Sequence, residues 1–164
     1  MFIPFEKLPP QAKVWIYPLS RALAPTEELG IGEKLKAFVQ QWKAHGHDLK
    51  ASFKILHSRF IVLAVDEEYH APSGCSIDSS VHAVADILQS AGLQLADRGQ
   101  VFFLINNTIQ NISVTRLRQS LNEGIWNADT LVFDTSVTTY GELNQNPVSA
   151  GKTWLVRYLK QVSV

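Results

Sequence analysis

Phe60 to Val65, Phe-Ile-Val-Leu-Ala-Val, is a run of six apolar residues with no polar alternation. It is too short for a stable helix and has no wet face, so it reads as a strand buried on both sides at the centre of a sheet. Just before it, Leu49, Ala51, Phe53 and Ile55 alternate with Lys50, Ser52 and Lys54. That alternation marks a strand with one wet face. The two runs are close enough in sequence to form a hairpin.

The other elements arrange themselves around this pair. Val14 to Tyr17 is a short apolar run closed by Pro18, which suits a first strand. Ile31, Leu35, Phe38, Val39 and Trp42 fall on one helical face. Thr26 is placed to cap that helix after Pro25, Gly30 and Gly32 weaken its first turns, and Gly46 is a natural stop. A second helix is expected from near Ser76, burying Ile77, Val81, Val84, Ala85 and Leu88 and ending before Gly92. Val101 to Ile105 is another buried strand, with Asn106-Asn107 as the hairpin turn into Ile109 to Ile112. Leu117 and Leu121 suit a short third helix ended by Gly124, and Thr130 to Phe133 a further strand. In the tail, Trp154, Leu155, Val156, Tyr158 and Leu159 are too apolar to be left in water.

The order up to residue 105 is strand, helix, strand, strand, helix, strand. It predicts an α+β fold in which an antiparallel sheet carries its helices on one face, in the ferredoxin-like (split βαβ) order. Residues 106–164 would extend that sheet, and 1–164 would form a single domain, since 164 residues suffice for one core.

Bulk properties narrow the function classes. Fifteen basic residues balance fifteen acidic ones, with no basic run to neutralise phosphates, which argues against nucleic acid as a partner. Charged residues make up only 18%. So sparsely charged a surface favours cover by a partner, and a homodimer is expected. The single cysteine, Cys75, excludes an intrachain disulfide and a cysteine-rich zinc module. The N-terminus has neither the basic start nor the apolar stretch of a signal peptide, and no apolar run is long enough to span a bilayer. A cytoplasmic location without membrane association is the expectation.

The stretch Asp66 to Ser80 links the buried strand to the start of a helix, where unpaired N–H groups and the positive end of the helix dipole lie. A thiol placed there ionises more easily, which makes Cys75 a candidate nucleophile or redox centre with His70 as base and Asp78 nearby. The same helix start could hold an anion on the hydroxyls of Ser76, Ser79 and Ser80. Against both stand the carboxylates of Asp66, Glu67 and Glu68, which oppose negative charge, and the capacity of Ser76 or Asp78 to cap the helix. On that second view Cys75 is a small buried hydrophobe.

Two tempting assignments fail on the residues themselves. Asn146 to Thr153 ends like a Walker A loop, but Asn146 stands where its first glycine is required, and too little chain follows for an ATPase core. The histidines at 45, 47, 57, 70 and 82 show no ligand spacing, so neither a metal nor another cofactor is expected. Trp15 and Trp42 are expected in the core. Trp126 and Trp154 are candidates to line a peptide groove or a dimer contact.

Phe2-Ile3-Pro4-Phe5-Glu6-Lys7-Leu8-Pro9, Ser73-Gly74-Cys75-Ser76-Ile77-Asp78-Ser79-Ser80, Ala128-Asp129-Thr130-Leu131-Val132-Phe133 and Trp154-Leu155-Val156-Arg157-Tyr158 carry a resemblance. Together they resemble an uncharacterised bacterial family frequently labelled "ABC transporter ATPase". The resemblance runs nearly end to end and implies no activity, cofactor or catalytic residue. With no complete Walker A loop and no ABC-type signature, the chain is not expected to be an ATPase. Val101 to Leu143 is also similar in layout to GYF-like peptide-binding modules, without their Gly-Pro pair and closing tryptophan. The sequence therefore points first to a binding or assembly protein without a catalytic motif, and second to a thiol-dependent enzyme or redox-responsive protein using Cys75.

Overall fold

The computed structural model describes residues 1–160, and the last four residues of the expected sheet extension lie outside them. No helix among the described residues is long and apolar enough to cross a membrane. The chain forms two compact units, Met1–Ala96 with Ser136–Asn144, and Asp97–Thr135 with Gln145 onward. The boundary therefore falls at residues 96 and 97 rather than after 105, and the chain returns to the first unit for Ser136–Asn144. No linker composition marks these crossings, which is why the sequence shows no division.

In the first unit, β1 (Lys13–Pro18), α1 (Pro25–Gln41), the two-residue strands β2 (Lys43–Ala44) and β3 (His47–Asp48), β4 (Ala51–Leu56), β5 (Phe60–Val65) and α2 (Gly74–Ser90) follow in order. The sheet has the order β1-β5-β4 and both pairings are antiparallel. All six residues of β5 are buried, as the unbroken apolar run requires. Ile61, Leu63 and Val65 face Ile31, Leu35 and Val39 of α1 and Val84 and Leu88 of α2 in one core. The helices thus share one face of an antiparallel sheet, as expected.

The ferredoxin-like order is met by three strands and not completed by the fourth. A split βαβ unit sets its third strand between the first and second and antiparallel to both, and β5 lies so between β1 and β4. The fourth strand, Val101 to Ile105, which that order sets beside the first, lies instead in a different sheet. The element order alone could not distinguish the two placements of that strand, because either one buries its apolar faces.

The start of α1 also differs from expectation. Pro25 occupies the first helical position and Ala24 precedes it as the cap residue, so Thr26 lies inside the helix. Glu27 accepts hydrogen bonds from the Ala24 amide and from Arg21, each at 2.9 Å, and takes over the capping role. The segment His45-Gly46 is the tight turn between β2 and β3, with positive φ at both residues, rather than a helix end.

The second unit contains β6 (Gln100–Ile105), β7 (Thr108–Ser113), α3 (Leu117–Asn122), β8 (Leu131–Phe133) and β9 (Val148–Ser149). Its antiparallel sheet runs β7-β6-β8-β9. Asn106 and Asn107 turn the β6–β7 hairpin with φ of 53° and 61°, the left-handed pair that a two-residue hairpin turn demands. Val101, Phe103, Leu117, Trp126, Val132, Ala150 and Leu155 form the core of this unit. Ser136–Asn144, the end of the GYF-like layout, belongs to the first unit.

Candidate functional site

The junction between β5 and α2 is built by local hydrogen bonds. Asp66 is buried at the strand end, where its Oδ1 accepts from the Glu68 amide at 3.1 Å and its Oδ2 lies 3.9 Å from Lys50 Nζ. Ser73, not Ser76 or Asp78, is the cap residue of α2. Its hydroxyl oxygen accepts from the Ser76 amide at 3.1 Å, while the Ser76 hydroxyl accepts from the Ser73 amide at 2.7 Å. Ser76 completes this reciprocal cap and is buried, and its carbonyl accepts from the Trp42 indole at 2.8 Å.

Ser80 is also sealed. Its hydroxyl donates to the Ile77 carbonyl at 2.6 Å and meets the Tyr17 phenol at 3.2 Å. Burial raises the Tyr17 phenol above its ordinary value, and the Ser80 contact opposes that rise. The anion cluster expected on Ser76, Ser79 and Ser80 is therefore not assembled. Two of its hydroxyls hold the helix in place, and Ser79 stands exposed without them.

Cys75 is a free, exposed thiol at the second position of α2, which corrects the view of it as a buried hydrophobe. Asp78 is exposed as well. His70 turns its ring to His47, with centroids 4.7 Å apart, and its Nε2 is buried with no hydrogen-bond partner. No hydrogen bond joins Cys75, His70 and Asp78, so the three candidates share a neighbourhood in sequence without forming a catalytic set. The pairing of His70 with His47 was hidden because it depends on the unforeseen β2–β3 turn. A shallow cavity of about 350 Å³ lies there, lined by Lys43, His47, Asp48, Tyr69 and His70. Among the described residues no group of three or more His, Cys, Asp or Glu side chains is placed to hold a metal ion.

The second unit carries aromatic rings from its core to its surface. Trp126, expected at a groove or dimer contact, is instead 1% exposed and stacks on Phe103 at 5.3 Å. Its indole donates to the Leu117 carbonyl at 3.0 Å and to Ser120 Oγ at 3.1 Å. Tyr158 packs edge-on to Trp126 at 6.4 Å, and Trp154 edge-on to Tyr158 at 6.1 Å. Trp154 is 45% exposed. Arg118 lies over the Tyr158 ring at 5.4 Å and Arg157 over the Trp154 ring at 5.3 Å. The outermost pair of rings is thus flanked by two guanidinium groups.

The Walker-like segment has a structural explanation. The amide of Asp134 donates to Asn146 Oδ1 at 2.8 Å, and Asn146 Nδ2 donates to the Asp134 carbonyl at 3.0 Å. A side-chain carbon on Gly151 would stand 3.2 Å from the Ala128 carbonyl oxygen, so close approach of two backbones accounts for that glycine. A single 3₁₀ turn, Ala150–Lys152, follows β9 where a P-loop would open a long helix.

Comparison with protein-family models, with curated proteins and with solved structures finds no match to the chain.

Proposed function

We propose that this chain is a cytoplasmic binding or assembly protein, not an enzyme, and that it presents the aromatic surface of its second unit to a partner. The exposed Trp154, covered by Arg157 and held against Tyr158, which Arg118 covers in turn, is the observation that carries this reading. Tryptophan, tyrosine and arginine are the residues that most often dominate the energetics of protein interfaces. A ring anchored to a rigid core loses little freedom on binding, which favours affinity. The partner is either a second copy, forming a homodimer, or another protein or peptide.

Light scattering of the wild type and of Trp154→Ala over a range of concentrations tests the reading. A dimer that the substitution converts to monomer supports self-assembly through this surface. A strict monomer at high concentration removes the homodimer and leaves a different protein or peptide as the partner.

A second reading, a thiol-dependent enzyme or redox-responsive protein, draws on the exposure of Cys75 near the start of a helix. The absence of hydrogen bonds from Cys75 to His70 or Asp78 makes it the weaker of the two.

A further inference from the structure

We propose that the partner of the Trp154 surface is an acidic peptide segment of another protein, with a carboxylate paired to Arg157 and an apolar side chain laid on the exposed ring. The inference rests on the reading of Trp154 as an interface residue and names the chemistry of what covers it.

The segments that meet at the rings carry charge of one sign. The turn Val114–Arg116 and α3 hold Arg116 and Arg118 and no acidic residue. Gln145–Val164, which bears Trp154 and Tyr158, holds Lys152, Arg157 and Lys160 and again none. The position of Arg118 over the Tyr158 ring brings the two segments together. The four carboxylates of the second unit belong to other stretches of chain. Among them Glu123 accepts from the Gln119 side chain at 2.9 Å, and Asp129 stands in the turn of residues 127–130. No carboxylate among the described residues pairs with Arg157.

Arg157 is held ready for an anion. Its guanidinium lies over the Trp154 ring at 5.3 Å, and its Nε donates to the Trp154 carbonyl at 3.3 Å. These contacts hold the group beside the ring and use one N–H donor. Its terminal nitrogens have no acceptor among the described residues. Their fork matches the two oxygens of a carboxylate, and a fork already placed loses little freedom on pairing. The neighbouring indole, 45% exposed, offers apolar area to the residue beside that carboxylate.

A second copy fits this surface less well. Twofold self-pairing lays the surface on itself, so cations meet cations with no carboxylate between them. A nucleic-acid strand also stacks on exposed rings, but it draws its affinity from many phosphate-neutralising cations, and the chain as a whole is neutral.

The test is selection from a random twelve-residue peptide library against the wild type. The enriched peptides are measured on Arg157→Gln and Trp154→Ala at low and high salt, with an oligothymidine strand alongside. Both side chains are exposed and lie outside the unit's core, so both variants keep the fold. The expected peptides carry Asp or Glu beside an apolar residue, bind more weakly as salt rises, and lose at least about tenfold in affinity on either substitution. Peptides without acidic residues that Trp154→Ala weakens overturn the proposal and leave the surface standing as an interface. Acidic peptides indifferent to Arg157→Gln, or enrichment of no peptide, also overturn it. So do oligothymidine binding or self-association abolished by Trp154→Ala, since nucleic acid or a second copy is then the occupant. Only indifference to Trp154→Ala in every assay counts against the surface itself.

Discussion

Asn146 holds the main chain of Asp134 in both directions, accepting from its amide and donating to its carbonyl. The position that a nucleotide-binding loop would give to glycine is thus occupied by a side chain tying β8 to the segment entering β9. Asn146→Gly brings the sequence closer to a Walker pattern, yet it removes both bonds and restores no phosphate cradle. The expected outcome is a loss of about 1–3 kcal/mol in urea unfolding, with no binding of a fluorescent ATP analogue. Gain of nucleotide affinity would overturn the assignment of this segment as structural.

Trp126 and Trp154 belong to one run of rings but differ in burial. Trp126→Ala empties the centre of the second unit and removes two indole hydrogen bonds, and a destabilisation of about 3–5 kcal/mol is expected. Trp154→Ala is expected to stay within about 0.5 kcal/mol of the wild type. Equal losses in chemical denaturation would mean that Trp154 serves the fold rather than an interface.

Cys75 is open to solvent in the native protein. Iodoacetamide is therefore expected to label it at similar rates before and after unfolding, and Cys75→Ser to leave stability nearly unchanged. Because His70 makes no hydrogen bond to the thiol, His70→Ala should leave the labelling rate unaltered. A labelling rate that falls on His70→Ala would revive the thiol-enzyme reading.

The carboxyl of Glu27 is held at about 2, first by the Arg21 side chain and then by the Ala24 amide. Its ordinary value is 4.5, so the folded group is the stronger acid. Its contribution is complete above that ordinary value and fades as pH falls towards about 2. Glu27→Gln should therefore reduce stability at neutral pH and flatten the acid limb of the stability curve. An unchanged acid limb, measured by urea unfolding between pH 2 and pH 5, would show that the pair contributes nothing.

Elements governed by local signals were legible in the sequence. The unbroken apolar run of β5, the alternation of β4 and the Asn106-Asn107 turn each follow from residues within a few positions. Strand pairing beyond the two hairpins was not legible. Whether β6 joins β1 or opens a second sheet depends on contacts between distant residues, and both outcomes satisfy the same periodicity. The candidate site divided along the same line. Exposure of Cys75 and the fixing of Ser80 by Tyr17 are tertiary facts, since Tyr17 lies far from α2 in the chain. Trp126 was misjudged because an irregular stretch of sequence gave no face on which to place it.

The return of Ser136–Asn144 to the first unit has a consequence for synthesis. The Val14 amide donates to the Thr138 carbonyl at 2.9 Å, Lys13 bridges Thr139, and the Tyr140 amide donates to the Ala12 carbonyl at 2.9 Å. On the ribosome, β1 therefore waits with part of its border unsealed until Ser136–Asn144 has emerged. A strand made before the rest of its sheet is thus finished after it, and Met1–Ala96 does not close the first unit without Ser136–Asn144.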